Sequence, residues 1–91
     1  MKTQIYDLRA SYDARQSFYG KAQVITEGKK KFLRSYSTVV AEITELKNGE
    51  YDVKVYGTYS DTTLRHIKEF LKQEGFNAET KKQIEKDYIE N

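Results

Sequence analysis

Hydrophobic positions along this chain change period once, near Gly57. Between Gly20 and Gly57, short β-branched and aromatic runs alternate with polar residues. From Ser60 onward the apolar residues recur at helical spacing. The first region therefore predicts a meander of antiparallel strands, and the second predicts helices.

The clearest hairpin joins TVVAEITEL to YDVKVYG through Lys47-Asn48-Gly49-Glu50. Asn-Gly suits a type I′ turn, in which both central residues need φ > 0. Alternation puts Val39, Ala41 and Ile43 on one face of the first strand and Tyr51, Val53 and Val55 on one face of the second, and these six are expected to line the core. Upstream, KAQVITE and KKFLRSY flank Glu27-Gly28-Lys29-Lys30 as a second hairpin. Its register is ambiguous, because Val24 and Ile25 are adjacent, as are Phe32 and Leu33. Ser35-Tyr36-Ser37 turns the chain from the second strand into the third, giving four strands in sequential order.

Ser60 or Asp61 can accept hydrogen bonds from the first free N–H groups of a helix, and Gly75 can take the left-handed conformation that ends it. At about 100° per residue, Leu64, Ile67, Phe70 and Leu71 share one arc, while Arg65, Lys68, Glu69, Lys72 and Gln73 point away. Asn77 reads as the cap of a second helix, AETKKQIEKDYIE, with a thinner apolar stripe at Ile84, Tyr88 and Ile89. Residues 1–19 carry Ile5, Tyr6, Leu8, Tyr12, Phe18 and Tyr19, too many large side chains for a free tail. They are expected to pack on the domain, partly as a short helix or an edge strand. The predicted fold is α+β: a four-stranded antiparallel meander (20–57) packed on the Asp61–Glu74 amphipathic helix, with a C-terminal helix, all within one domain spanning 1–91 and with both helices inside 60–89.

Composition narrows the chemistry. A chain of 91 residues buries about 60 to 65% of its unfolded surface, enough for a core but not for a roomy enzyme cleft. With no cysteine there is no disulfide, thiolate zinc site or cysteine nucleophile, and the expected location is the reducing cytoplasm. The opening MKTQIYDLRASYDARQS lacks the apolar run of a signal peptide, and no stretch approaches the roughly 20 apolar residues of a bilayer span. No membrane role is expected. The net charge of +2 is too small for a strongly basic nucleic-acid module. It is unevenly placed, though: residues 1–49 hold nine Lys/Arg against five Asp/Glu, and residues 50–91 hold seven against nine.

His66 is the only histidine and falls at the edge of the helical apolar face. It has no HExxH, paired histidine or DxDxDG loop to join, and no GxSxG elbow supplies a nucleophile. Neither a catalytic site nor a metal or cofactor is expected, and the reading is non-enzymatic. More informative are the eight tyrosines combined with the basic hairpin Lys29, Lys30, Lys31 and Arg34. Tyrosine offers wide contact area at low entropic cost and suits protein interfaces, while basic residues beside aromatics also suit RNA or single-stranded DNA. A third reading gives Tyr19 and Tyr51 to the core, Tyr36 and Tyr59 to turns, and the lysines to a solubilising loop. Tyr56, placed opposite Val55 beside Lys54, forms with Tyr59, Arg65 and His66 a second candidate contact patch.

Three phrases, YDARQSFYGKA (12–22), SYSTVVAEI (35–43) and YSDTTLRHIKEFLKQ (59–73), resemble a family of small proteins carried on plasmids, conjugative elements and phages of Gram-positive bacteria. The setting and size are similar to those of anti-CRISPR proteins that block type II effectors, the Cas9 class. This resemblance implies a stoichiometric inhibitor of a host defence nuclease, with a Cas9 ribonucleoprotein as partner. The alternatives are an accessory nucleic-acid binder of a mobile element and a structural or oligomer-forming element protein. No functional residue is transferred by the resemblance.

Overall fold

The computed structural model describes residues 3–12, 20–57 and 60–89. Over these residues it is an α+β domain with five strands: β1 (Gln4–Asp7), β2 (Ala22–Glu27), β3 (Lys30–Ser35), β4 (Thr38–Glu45) and β5 (Tyr51–Val55). They lie in chain order in one sheet, every neighbouring pair antiparallel. The predicted count of four is thus corrected to five. The extra strand comes from the N-terminal segment, where Gln4-Ile5-Tyr6-Asp7 pairs with β2 as an edge strand. Four residues between polar neighbours give too short an alternation to announce a strand; pairing with β2 supplies what the local pattern lacks.

One face of the sheet is covered. Val24, Leu33, Ala41, Ile43 and Val55 are buried there with Ile67, Phe70 and Leu71 of helix α1 (Asp61–Gln73). Leu8, Ala78 and Ile84 close the margins of this core.

Two of the six expected core positions are displaced. Val39 is 39% exposed and Tyr51 is 54% exposed, whereas Val40 is fully buried. The cause at Val39 is a bulge: Leu33 pairs with Ala41 but Arg34 pairs with Val39, leaving Val40 as the extra residue on β4. The extra residue shifts alternation by one, so Val40 and Ala41 both turn inward and Val39 turns out. At the far end Tyr51 sits beyond the helical cover, its ring edge-on to Phe76 at 5.8 Å.

The turns also depart from expectation at one place. Of Asn48-Gly49 only Gly49 has positive φ, and the bonds Leu46 N–H to Glu50 C=O (2.8 Å) and Gly49 N–H to Leu46 C=O (3.2 Å) define a longer loop. The β2–β3 hairpin keeps a two-residue loop with Gly28 at φ 61, and β3–β4 places Tyr36 at φ 57 in the equivalent position. An aromatic residue there sits in a region that favours glycine.

Helix α1 starts where Ser60 Oγ accepts from Thr63 N–H at 3.2 Å. It ends in a Schellman arrangement, with Phe76 N–H donating to Leu71 C=O, Gly75 N–H donating to Lys72 C=O, and Gly75 at φ 91. The second helix, α2 (Lys81–Ile84), is capped by Thr80 and not by Asn77; Thr80 Oγ1 accepts from Gln83 N–H at 3.1 Å. Asn77 instead offers its C=O to Gln83 Nε2 and to the Tyr88 hydroxyl. Glu85–Ile89 continues α2 in wider π-helical geometry and lies against β5.

One residue expected to face water is buried. Glu69 is 1% exposed because the chain after β1 crosses α1: Glu69 Oε1 accepts from Tyr12 N–H at 2.9 Å, Oε2 accepts from Gln73 Nε2 at 2.6 Å, and Gln73 Nε2 also donates to Arg9 C=O. Burial of a carboxylate is tolerable only with such donors. Amphipathic spacing within α1 carries no information about a segment more than fifty residues away.

Candidate interaction face

The other face of the sheet carries the alternate residue of every strand. Register aligns Ile5, Ile25, Phe32, Glu42 and Lys54 in one row across all five strands. Asp7, Gln23, Arg34 and Val39 form a parallel row on one side, continued by Tyr56; Glu27, Lys30, Thr44 and Asp52 form another on the opposite side. Ile5 and Tyr56 are more than half exposed, at 55% and 51%, and Ile25 and Phe32 are half-buried. Large apolar side chains thus stand on a face that neither helix covers.

Charged groups tie this face together. The Tyr56 hydroxyl donates to Glu42 Oε1 at 2.7 Å, and Lys30 Nζ lies 3.3 Å from Glu42 Oε2. The hydrogen bond to Glu42 pushes the Tyr56 hydroxyl up to about 12 from its ordinary 10.0, with burial and the carboxylate's charge adding to the shift. Glu42 is held below the ordinary carboxylate range, first by that hydrogen bond and then by Lys30 and Lys54. Nearby, the Arg34 guanidinium donates to the Gln23 side-chain oxygen, and Gln23 Nε2 reaches Asp7 Oδ1 at 3.4 Å. Basic Lys30, Arg34 and Lys54 face acidic Asp7, Glu27, Glu42 and Asp52, so the face is near electroneutral.

The structure separates the lysine run. Lys29 is exposed on the hairpin turn and Lys30 stands on the open face. Lys31 points to the covered side, where its Nζ meets Glu74 Oε1 at 2.7 Å. That hydrogen bond raises the Lys31 pKa against the opposing effect of burial. A cavity of ≈ 210 Å³ lies between this hairpin and the end of α1, lined by Lys29, Lys31, Glu45, Tyr51, Glu74 and Phe76. It is smaller than the roughly 300 Å³ at which small-molecule sites begin.

Of the patch expected around Tyr56, the described members occupy different surroundings. Tyr56 is on the open face beside Lys54, Arg65 is half-buried, and Tyr59 lies outside the described residues. His66 points into the core and is fully buried. Its Nδ1 is 2.8 Å from Ser35 Oγ, which is in turn 3.0 Å from Thr63 Oγ1. A half-buried position at the edge of the arc was expected; the ring instead fills space under the β3–β4 turn, 6.0 Å from the Tyr36 ring. Among the described residues no three His, Asp or Glu side chains converge as metal ligands, and no helix is long and apolar enough to cross a membrane.

Ile5, Ile25, Phe32, Val39 and Glu42 of this face are not singled out by the sequence as candidate contact residues. For Ile25 and Phe32 a signal is present in the adjacent apolar pairs Val24-Ile25 and Phe32-Leu33, since neighbours in a strand point to opposite faces. Two apolar neighbours mean that both faces of the sheet carry apolar groups there.

No curated protein and no solved structure matches this chain. A family model does match, over residues 6–86, and thereby takes in all of β2 to β5 and α1. The chain belongs to DUF8033, a family of unknown function.

Proposed function

We propose that this protein is a non-enzymatic binder that uses the open face of its sheet to dock on a larger partner, and that the partner is a guide-loaded Cas9 ribonucleoprotein whose cleavage it inhibits. The single observation that supports docking is the row Ile5, Ile25 and Phe32 with Val39 and Tyr56 beside it, apolar side chains left exposed or only half-buried on a face otherwise rich in paired charges. Aromatic anchors ringed by polar groups are the usual anatomy of an interface core and rim. The choice of Cas9 rests on the resemblance to anti-CRISPR proteins alone.

Near electroneutrality of the face favours a protein surface over bare nucleic acid, which rewards a basic groove. The test is co-purification with guide-loaded Cas9 and a DNA cleavage assay at stoichiometric protein. Complex formation and loss of cleavage are expected, with Val39→Asp plus Tyr56→Ala weakening binding by about tenfold or more while the circular dichroism spectrum is retained. Unimpaired cleavage at molar excess with no co-migration would remove the Cas9 assignment. Tight binding to free RNA that collapses as salt rises would instead assign the accessory nucleic-acid role.

A further inference from the structure

We infer that β1 is a dimerisation edge, at which a second copy of this chain pairs antiparallel with the first through Ile5, joining two five-stranded sheets into one. The inference concerns the outward backbone groups at the rim of the sheet; the Ile5 side chain also stands on the docking face, but the pairing does not depend on what docks there.

The two edges differ. Glu85–Ile89 lies against β5, with Tyr88 and Ile89 beside Val53, Val55 and Tyr56. Along β1, Gln4, Ile5 and Tyr6 are all exposed, the last two at 55% and 46%. Edge strands are ordinarily guarded by proline, lysine or a bulge. Gln4–Asp7 has no proline or lysine, and its register with β2 is unbroken.

Backbone parity fixes which groups are available. Leu8 N–H donates to Ala22 C=O at 2.9 Å, so in this antiparallel pair Gln4, Tyr6 and Leu8 direct their backbone groups at β2. Ile5 and Asp7 direct theirs outward, and among the described residues no backbone bond takes them.

Self-pairing must also keep side chains on matching faces, which requires a two-fold axis through a residue and not between two. An axis at an outward-bonding residue can pass through Ile5 or Asp7. Centring on Asp7 sets two carboxylates directly opposite each other, which is unfavourable. Centring on Ile5 opposes Ile5 to its own copy, Thr3 to Asp7 of the second copy, and Gln4 to Tyr6 of the second copy. Hydroxyl faces carboxylate, and the open-face row of Ile5, Ile25 and Phe32 runs on into the same row of the partner. Of the two registers centred on an outward-bonding residue, this one satisfies backbone, face and charge together.

The absence of native cysteine makes the register directly readable. Facing residues of a hydrogen-bonded pair have Cα atoms about 5.5 Å apart, within disulfide range. Ile5→Cys is therefore expected to oxidise to a covalent dimer. Asp7→Cys, whose copies lie about 14 Å apart in this register, is expected to form no disulfide between copies. Native protein should shift from the mass of one chain to that of two as concentration rises in sedimentation equilibrium. Ile5→Pro removes only an outward N–H, so it should keep the native circular dichroism spectrum and abolish the shift. A native mass of one chain at every concentration would overturn the inference, as would a dimer that Ile5→Pro leaves intact or faster cross-linking at Asp7→Cys than at Ile5→Cys.

Discussion

The two faces of the sheet are built from neighbouring residues of the same strands, yet they meet different demands. On the covered face Val24, Leu33 and Ala41 are sealed by α1, and polar groups there find specific partners, Ser35 with His66 and Lys31 with Glu74. On the open face Ile25, Phe32 and Glu42 stand one position along from those residues and are solvated or only half covered. Residue type alone does not assign a role here. Lys30 and Lys31 are identical side chains, adjacent in sequence, and one belongs to an exposed network while the other closes the end of the core.

The two faces differ most at Phe32 and Leu33. Leu33→Ala leaves a cavity beneath α1 and is expected to cost about 3 kcal/mol in urea denaturation. Phe32→Ala, though it deletes more atoms, should cost about 1 to 2 kcal/mol because the ring is only half-buried. Equal losses would mean that the open face is packed in solution. Next in size is Glu69→Ala, which leaves Tyr12 N–H without its carboxylate and is expected to destabilise by about 2 kcal/mol. Faster hydrogen exchange at Tyr12 than in the parent protein checks it. Gly75→Ala, at φ 91, loosens the end of the covering helix by about 1 kcal/mol and is read as a lower denaturation midpoint.

Smallest is the effect of the open-face network, which should appear in pH dependence more than in stability at neutral pH. Glu42 has a lowered pKa in the folded state, so its contribution is present above the unfolded value of 4.5 and fades as pH falls through the lower folded value. Tyr56 has a raised pKa, so its contribution is complete below 10.0 and is lost as pH rises through about 12. Glu42→Gln should bring the tyrosinate absorbance transition of Tyr56 back toward 10.0. An unchanged transition would show that the hydrogen bond is not maintained in solution.

What could be read from the sequence was whatever local chemistry decides. Ser60 and Gly75 bound α1 through their own side chain and backbone, and Leu64 to Leu71 display its apolar arc without reference to anything distant. The Val40 bulge is different, since it exists only in the pairing of β4 with β3 and carries no mark in TVVAEITEL. β1 was legible only as one of two alternatives, a short helix or an edge strand, and the burial of Glu69 not at all, for the same reason: each depends on a segment remote in sequence. The candidate face was half legible. Tyr56 beside Lys54 follows from alternation, but Phe32 and Ile25 needed the register that only a folded sheet provides.

Because the strands lie side by side in the order in which they are translated, each can dock on its predecessor as soon as it leaves the ribosome. The helix that roofs Leu33, Ala41 and Val55 is made only afterwards. During that interval the nascent sheet presents both greasy surfaces at once, and this is the stage at which chaperone protection would matter most.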